Sequence, residues 1–167
     1  MSNNSRNKKW KSLSAERMTR ILQKIELVAN LSSHNYEYKD EWLRFLLDSF
    51  FQKGAEIKNI FENPDTGLYQ DISSMFVFPD IPDEELLTKK QKKFIEIGQK
   101  RMSNLYKELN YFSRLANKKN YTYDLMDVDY LFDLYEAKGI ELQKWFPPFE
   151  DERIPNEVDM TQYPSEG

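Results

Sequence analysis

Two stretches of this chain resemble each other closely. Residues 17–61 read RMTRILQKIELVANLSSHNYEYKDEWLRFLLDSFFQKGAEIKNIF, and residues 101–146 read RMSNLYKELNYFSRLANKKNYTYDLMDVDYLFDLYEAKGIELQKWF. The offset between them is 84 residues up to Leu31 and 85 residues from Asn35 onward. With one gap they share twelve identities, which are Arg17/Arg101, Met18/Met102, Leu31/Leu115, Asn35/Asn120, Tyr36/Tyr121, Tyr38/Tyr123, Leu46/Leu131, Asp48/Asp133, Lys53/Lys138, Gly54/Gly139, Glu56/Glu141 and Phe61/Phe146. The chain therefore contains an internal duplication.

Each copy has the apolar pattern of two amphipathic helices. Apolar residues recur at steps of three and four in both halves of a copy, which is typical of a helix with one buried face. We expect helices over residues 14–31 and 40–61 in the first copy, and over residues 89–115 and 125–146 in the second. Ser14 is the expected cap of the first helix, with Leu13 packing on Met18, and Asp124 is the expected cap of the last.

A helical hairpin of this size cannot bury its apolar stripe alone, because the stripe needs a second layer to pack against. Two copies in one chain supply that layer to each other. The sequence therefore predicts an all-α bundle of four main helices, built from two duplicated helical hairpins with pseudo-twofold symmetry. Gly54 and Gly139 recur inside the second helices, which indicates a helix crossing with close approach of another backbone.

We expect a single domain over residues 1–167. Its predicted parts are a flexible basic arm at 1–13, a first hairpin at 14–61, a connector at 62–88, a second hairpin with an extended first helix at 89–146, and an acidic tail at 147–167. We expect residues 150–167 of the tail to be extended or disordered. The connector is rich in Pro, and its apolar tetrad at residues 75–78 is expected to dock over the bundle. A short strand or an exposed plug for a partner are the alternatives.

The composition predicts a globular protein that neither crosses a membrane nor is secreted. The chain is 40% hydrophobic and 14% aromatic, contains no Cys, and has no apolar run of the length that a membrane span needs. Its first residues lack the apolar core of a signal peptide. We therefore expect a cytoplasmic protein without disulfides or thiolate metal sites.

Catalytic patterns are missing from the sequence. His34 is the only histidine, so the Glu-x-x-His pairs of di-iron bundles cannot form. No glycine-rich phosphate loop, nucleophile elbow or zinc-ligand spacing is present. We expect no enzyme, no metal, no cofactor and no small-molecule substrate.

Charge alternates in blocks along the chain. Residues 1–24 hold seven basic and one acidic side chain, and residues 89–119 hold ten basic and two acidic. Residues 25–88 and 120–167 are strongly acidic, so the whole chain carries a formal net charge of −4. The alternation has two interpretations: a face that contacts phosphates, or electrostatic pairing between the basic first helix and the acidic second helix of each hairpin.

The first interpretation names the basic residues of both stretches as candidate nucleic-acid contacts. They are Lys8, Lys9, Lys11, Arg17, Arg20, Lys89, Lys90, Lys92, Lys93, Lys100, Lys107, Arg114, Lys118 and Lys119. Trp10, inside the predicted arm, is the candidate for stacking on an unpaired base.

Two equivalent loops join the helices of each copy and are rich in Asn and Tyr. Their candidate residues are Asn35, Tyr36, Tyr38, Asn120, Tyr121 and Tyr123. One interpretation is structural: the Asn residues favour a turn, while the Tyr rings seal the end of the bundle and keep their hydroxyls in water. The other is that the loops are paired binding tips.

These loops resemble a short helical repeat of bacterial plasmid, integrative-element and phage proteins. In that family a basic helix leads into an Asn-Leu-Ser-Asn turn, then Asn-Tyr-x-Tyr and an acidic helix. Residues 30–32 and 35–38 match this pattern, whereas the second copy departs from it at Arg114 and Ala116. The resemblance implies a mobile-element or accessory protein and carries no particular activity.

Two functional hypotheses follow. The first is a non-catalytic protein that binds nucleic acid or a nucleoprotein through its basic helices. The second is a protein-binding inhibitor or anti-defence factor of a mobile element, which offers its acidic helices and tail to a basic partner.

Overall fold

The architecture follows from a computed structural model that describes residues 2–66, 72–153 and 160–162. Within these residues there are helices and turns and no strand. The four main helices are α1 (Asn3–Ala29), α2 (Asp40–Glu62), α3 (Lys89–Ser113) and α4 (Leu125–Trp145). Single 3-10 turns extend α1 over Asn30–Ser32 and α3 over Arg114–Ala116. The predicted all-α bundle of four main helices is confirmed.

The helix starts follow local chemistry. α3 begins with a capping box, in which the Thr88 hydroxyl accepts from the Gln91 backbone and the Gln91 side chain accepts from the Thr88 backbone. Asp124 occupies the N-cap position of α4 as predicted, although its side chain makes no capping hydrogen bond. α2, α3 and α4 all begin at the predicted residues.

The start of α1 differs from the prediction. The helix begins at Asn3, where the Ser2 hydroxyl accepts from the Ser5 backbone, and not at residue 14. Trp10 is only 1% exposed, and its ring nitrogen donates to the Leu115 carbonyl at 3.1 Å. The flexible arm and the Ser14 cap are therefore wrong, because burial of this large ring holds the first turns against the bundle.

The duplication also extends further than residues 17 and 101. At the same offset of 84, Lys8 and Lys9 match Lys92 and Lys93, and Trp10 matches Phe94. Both aromatic rings are buried, and each packs on the second loop Tyr of the other copy, Trp10 on Tyr123 and Phe94 on Tyr38.

The two copies interleave rather than stack as separate hairpins. α1 packs mainly against α3 and α4, and α2 packs mainly against α4 and α3. The two helices of one copy therefore lie on a diagonal of the bundle. Each copy buries the apolar stripes of the other, as the sequence predicted, and a single core results.

Reciprocal contacts relate the copies by a pseudo-twofold axis between α2 and α4. Phe50 and its counterpart Tyr135 stack with centroids 4.4 Å apart and planes 4° apart. Each ring also lies against the glycine of the other helix, Tyr135 on Gly54 and Phe50 on Gly139. The predicted crossing is confirmed, and the neighbour that excludes a Cβ is an aromatic ring rather than a backbone.

The same relation holds between α1 and α3. The guanidinium of Arg17 donates to the Tyr111 carbonyl at 3.5 Å, and that of Arg101 donates to the Leu27 carbonyl at 2.9 Å. At the offset of 84, Arg17 corresponds to Arg101, and Leu27 corresponds to Tyr111. The early part of α1 therefore lies beside the late part of α3, and the two helices run antiparallel.

The connector docks on the bundle through alternate residues. Phe76 and Phe78 are buried against Phe45 of α2, whereas Met75 and Val77 are exposed. The backbone N–H groups of the two docked residues donate to side chains of α3. Docking of the tetrad is thus confirmed for two of its four residues.

The start of the predicted tail packs on the bundle as well. Phe149 is buried beneath the Arg44 guanidinium, which lies 3.8 Å from the ring centroid and also pairs with Asp151. Residues 150–152 form a 3-10 turn, so the expectation of extended or disordered chain is wrong for this part. Residues 154–159 and 163–167 lie outside the described residues.

We expect Trp10→Ala to lower the free energy of unfolding by about 3–5 kcal/mol, because truncating a buried aromatic side chain leaves a cavity. Denaturant unfolding monitored by circular dichroism measures this value. Lys11→Ala, at an exposed position on the same turn, is the control and should stay within about 0.5 kcal/mol. If Trp10→Ala were as stable as the wild type, the prediction of a flexible arm would stand.

Candidate nucleic-acid interface

Five basic residues of α3 and of the 3-10 turn that extends it form one exposed stripe. Four of them are spaced by seven residues, which is close to two helical turns and keeps them on one side of the helix. We define the α3 basic stripe as Lys89, Lys93, Lys100, Lys107 and Arg114, all of which are exposed. At 1.5 Å per residue the stripe is about 37 Å long.

The stripe continues beyond the end of α3. Lys118 and Lys119 are exposed in the following loop, where the Lys118 ammonium lies 3.7 Å from the ring centroid of Tyr123. The first turns of α1 reach the same loop, since Asn7 donates to the Thr122 carbonyl at 3.0 Å. The structure thus brings Lys8, Lys9 and Lys11 of these turns to the end of the stripe.

The two ends of the bundle are built alike. The Lys9 ammonium lies 5.9 Å from the ring centroid of Tyr121, and the Lys93 ammonium lies 5.7 Å from that of Tyr36. These pairs are equivalent in the duplication. Each loop therefore lies beside the basic first turns of the other copy. The candidate loop residues and the candidate basic residues thus lie together on two surfaces, one at each end of the bundle. Lys90 belongs to the second of them, because its carbonyl accepts from the Glu37 backbone.

Most of the candidate cations have no acidic partner among the residues that the structure describes. Arg20 pairs with Glu108 at 3.5 Å, and Lys92 pairs with Glu84 at 3.7 Å. Within the described residues no member of the α3 basic stripe takes part in an ion pair. Exposed cations without such a partner remain available to an anionic ligand.

The ion pairs also bear on the alternative of electrostatic pairing within each copy. The ion pairs between main helices connect different copies. Arg20 and Glu108 join α1 to α3, Glu26 and Lys138 join α1 to α4, and Lys58 and Asp129 join α2 to α4. None of these pairs connects the two helices of one copy. The described contacts therefore do not favour that interpretation.

Two predicted contacts are corrected by burial. Trp10 stacks on Tyr123 with centroids 5.3 Å apart, so its ring faces are not available to a base. Arg17 is 9% exposed and directs its guanidinium at Tyr111. Both side chains are structural, because each lies in the contact between the two copies.

The second Tyr of each loop has a structural role too. Tyr123 is 5% exposed, and its hydroxyl donates to the Phe61 carbonyl at 2.9 Å instead of reaching water. Burial raises the pKa of Tyr123 to about 12, and the charge of Asp65 adds to this shift. Tyr38 packs on Phe94 and Phe146 in the equivalent place. Burial therefore speaks against the binding interpretation for Tyr123, whereas Tyr38 is half-buried and its role in binding stays a prediction.

The remaining loop residues stay candidates for binding. Asn35 and Asn120 are exposed, and Tyr36 and Tyr121 are half-buried beneath lysines. A ring in this position has an edge at the surface while its body packs on the bundle.

Tyr111 is a candidate that the sequence analysis missed. It is exposed on α3 between Lys107 and Arg114, and the Arg17 guanidinium carbon lies 4.0 Å from its ring centroid. The available signal was its spacing, four residues after one stripe cation and three before the next, which places all three on one helix face.

Neither a metal centre nor a membrane span is found in the described residues. No group of three His, Asp or Glu side chains there is arranged to hold a metal ion. None of the described helices is both long and apolar enough to cross a bilayer.

Comparison of the chain with known protein families, with curated proteins and with solved structures finds no match.

We expect the free energy of unfolding to fall as the pH rises from about 10 to about 12. Tyr123 ionises near its ordinary pKa in the unfolded chain and only at the higher value in the folded one, so alkali stabilises the unfolded state. Tyr123→Phe should cost about 1 kcal/mol at neutral pH, because a buried hydrogen bond is lost, and should make the alkaline decline shallower. Urea unfolding across this pH range measures both, and parallel declines for the two proteins would contradict the assignment.

Proposed function

We propose that this protein is a non-catalytic binding protein that contacts nucleic acid or a nucleoprotein. The contact surface is the α3 basic stripe, continued by Lys118 and Lys119 and by the first turns of α1. The observation that carries the proposal is the stripe itself: five exposed cations on one helix face with no ion-pair partner among the described residues. Exposed cations of this kind can contact phosphates, and each such contact releases counterions from the nucleic acid and so favours binding at low salt.

The acidic net charge of the chain does not oppose this proposal. The carboxylates are concentrated in residues 25–88 and 120–167, whereas the stripe lies between these blocks in the sequence. In the bundle, α3 packs most extensively on α1, whose first turns are basic, and screening weakens interactions between exposed charges beyond about 8 Å at physiological salt. The local charge of the stripe therefore governs contact with a phosphate backbone.

The stripe variant Lys93→Gln/Lys100→Gln/Lys107→Gln should weaken binding to DNA and RNA and should reduce the salt dependence. Each lost phosphate contact lowers the slope of log affinity against log salt by about 0.7–0.9, so we expect a reduction of about 2–3. Fluorescence anisotropy at several salt concentrations measures this slope.

The matched control is Lys39→Gln/Lys58→Gln/Lys144→Gln, which removes the same charge from outside the stripe. This control should leave the slope unchanged. No binding by the wild type at low salt, or equal effects of the two triple variants, would overturn the proposal.

A second candidate function is favoured by the outer face of α4. Met126, Tyr130 and Leu134 are exposed there at spacings of four residues, which places them on one side of the helix. In the first copy the counterpart of Tyr130 is Phe45, which the connector covers. In this second hypothesis the exposed residues of α4 bind a protein partner.

The charge around this face indicates which partner would fit. Asp129, Asp133 and Glu136 are exposed beside the apolar residues, so the complementary surface is apolar at its centre and basic at its rim. An inhibitor or anti-defence factor of a mobile element would act through such a surface, whereas the resemblance of the loops implies only a mobile-element or accessory protein.

Tyr130→Lys/Leu134→Lys tests the second candidate. Purification from the source cells should recover a partner with the wild type and with the stripe variant, and lose it with this double variant. Loss with the stripe variant alone would assign the partner to the basic surface instead.

A further inference from the structure

Tyr111 lies at the surface in the middle of a group of arginines. The residue is 39% exposed on α3, and three guanidinium carbons lie within 6 Å of its ring centroid: Arg17 at 4.0 Å, Arg114 at 5.6 Å and Arg20 at 5.8 Å. No other ring in the described part of the chain has three cations over it. The position is therefore distinct within the basic surface.

Arg17 holds the ring in place from below. Its guanidinium donates to the Tyr111 hydroxyl at 3.2 Å and to the Tyr111 carbonyl at 3.5 Å, while the Arg17 side chain itself is nearly buried. Arg17 therefore packs against part of the ring by a cation–π contact, while Tyr111 as a whole keeps an exposed surface. The ring is thus fixed before any ligand arrives, which lowers the entropy lost on binding.

The two other arginines differ in their availability. Arg20 is engaged by Glu16 and Glu108. Arg114 is exposed, and within the described residues no ion pair involves it. A fixed aromatic face beside a free guanidinium combines the two contacts that single-stranded nucleic acid needs, namely a stacking surface for a base and a cation for its phosphate.

We propose that Tyr111 is a stacking platform for one unpaired base of single-stranded DNA or RNA, with Arg114 contacting the adjacent phosphate. This inference rests on the proposed function, and it specifies the substrate class of the α3 basic stripe. Bases in a duplex are stacked on each other and present no free face, so the platform distinguishes single strands from duplexes. Lys107 and Lys100 extend along the helix from Tyr111, where the backbone of the strand would follow them.

The first copy shows the same position without a platform. Leu27 is the counterpart of Tyr111, is 43% exposed, and accepts at its carbonyl from Arg101 as Tyr111 accepts from Arg17. Tyr111→Leu therefore introduces the residue type that the first copy already has at the equivalent position. The variant removes the ring and its contacts with Arg17, and it keeps the backbone carbonyl at position 111 to which Arg17 donates, as Arg101 donates to the Leu27 carbonyl.

The test compares single-stranded DNA and RNA oligonucleotides with duplexes of the same length by fluorescence anisotropy. Tyr111→Leu should weaken single-strand binding by about 5- to 150-fold, the range for loss of one base–aromatic stack, and should leave duplex affinity unchanged. Tyr111→Phe keeps the ring and should keep most of the single-strand affinity. Denaturant unfolding of each variant checks that the fold is retained.

A second measurement reads stacking directly. An oligonucleotide carrying the fluorescent base 2-aminopurine should be quenched on binding to the wild type and to Tyr111→Phe, and quenched less by Tyr111→Leu. Wild-type affinity of Tyr111→Leu for single strands, equal losses for Tyr111→Leu and Tyr111→Phe, or equal losses on single strands and duplexes would each overturn the platform. In these cases a salt-dependent loss with the stripe variant would leave the proposed function standing, whereas a wild type that binds no nucleic acid would overturn both.

Discussion

The stack of Phe50 on Tyr135 is the contact from which the arrangement of the bundle follows. Two parallel rings 4.4 Å apart fit between α2 and α4 because Gly54 and Gly139 leave room for them. The pair contributes about 0.5–1.5 kcal/mol beyond the area that it buries, and the more important consequence is geometric. Since each ring packs on the glycine of the other copy, the contact fixes the crossing of α2 with α4 and relates the two copies by a pseudo-twofold axis.

The same axis relates α1 to α3, which lie side by side. On these two helices the surface residues of the copies have diverged. The backbone contacts of Arg17 and Arg101 are equivalent, so the scaffold is shared. The surface is not shared, because the first copy carries Glu16, Gln23 and Asn30 at the positions of the last three stripe cations. The duplication therefore supplies a frame with two similar faces. Only the second copy carries the line of basic residues, which Glu96 interrupts between Lys93 and Lys100, together with an exposed ring at position 111.

The connector breaks the symmetry on the opposite side. Phe76 and Phe78 cover Phe45 of α2, and the counterpart of that residue on α4, Tyr130, remains exposed. One unduplicated segment thus closes one face of the bundle and leaves its equivalent open. The basic stripe and the open α4 face are on different helices, so the two proposed contacts, with nucleic acid and with a protein, would use different residues.

The helices and their pairing into one core could be predicted from the residues alone. Apolar periodicity is a local signal, and a pattern that occurs twice indicates that the copies bury each other. The start of α1 escaped prediction because its first turns are mostly polar, and the group that holds them is Trp10 against a carbonyl 105 residues away. The same reason explains why the candidate site could be predicted only in part. Composition identifies the basic stretches, whereas long-range packing buries Trp10 and Arg17 and leaves Tyr111 at the surface, since exposure depends on contacts between residues far apart in the chain.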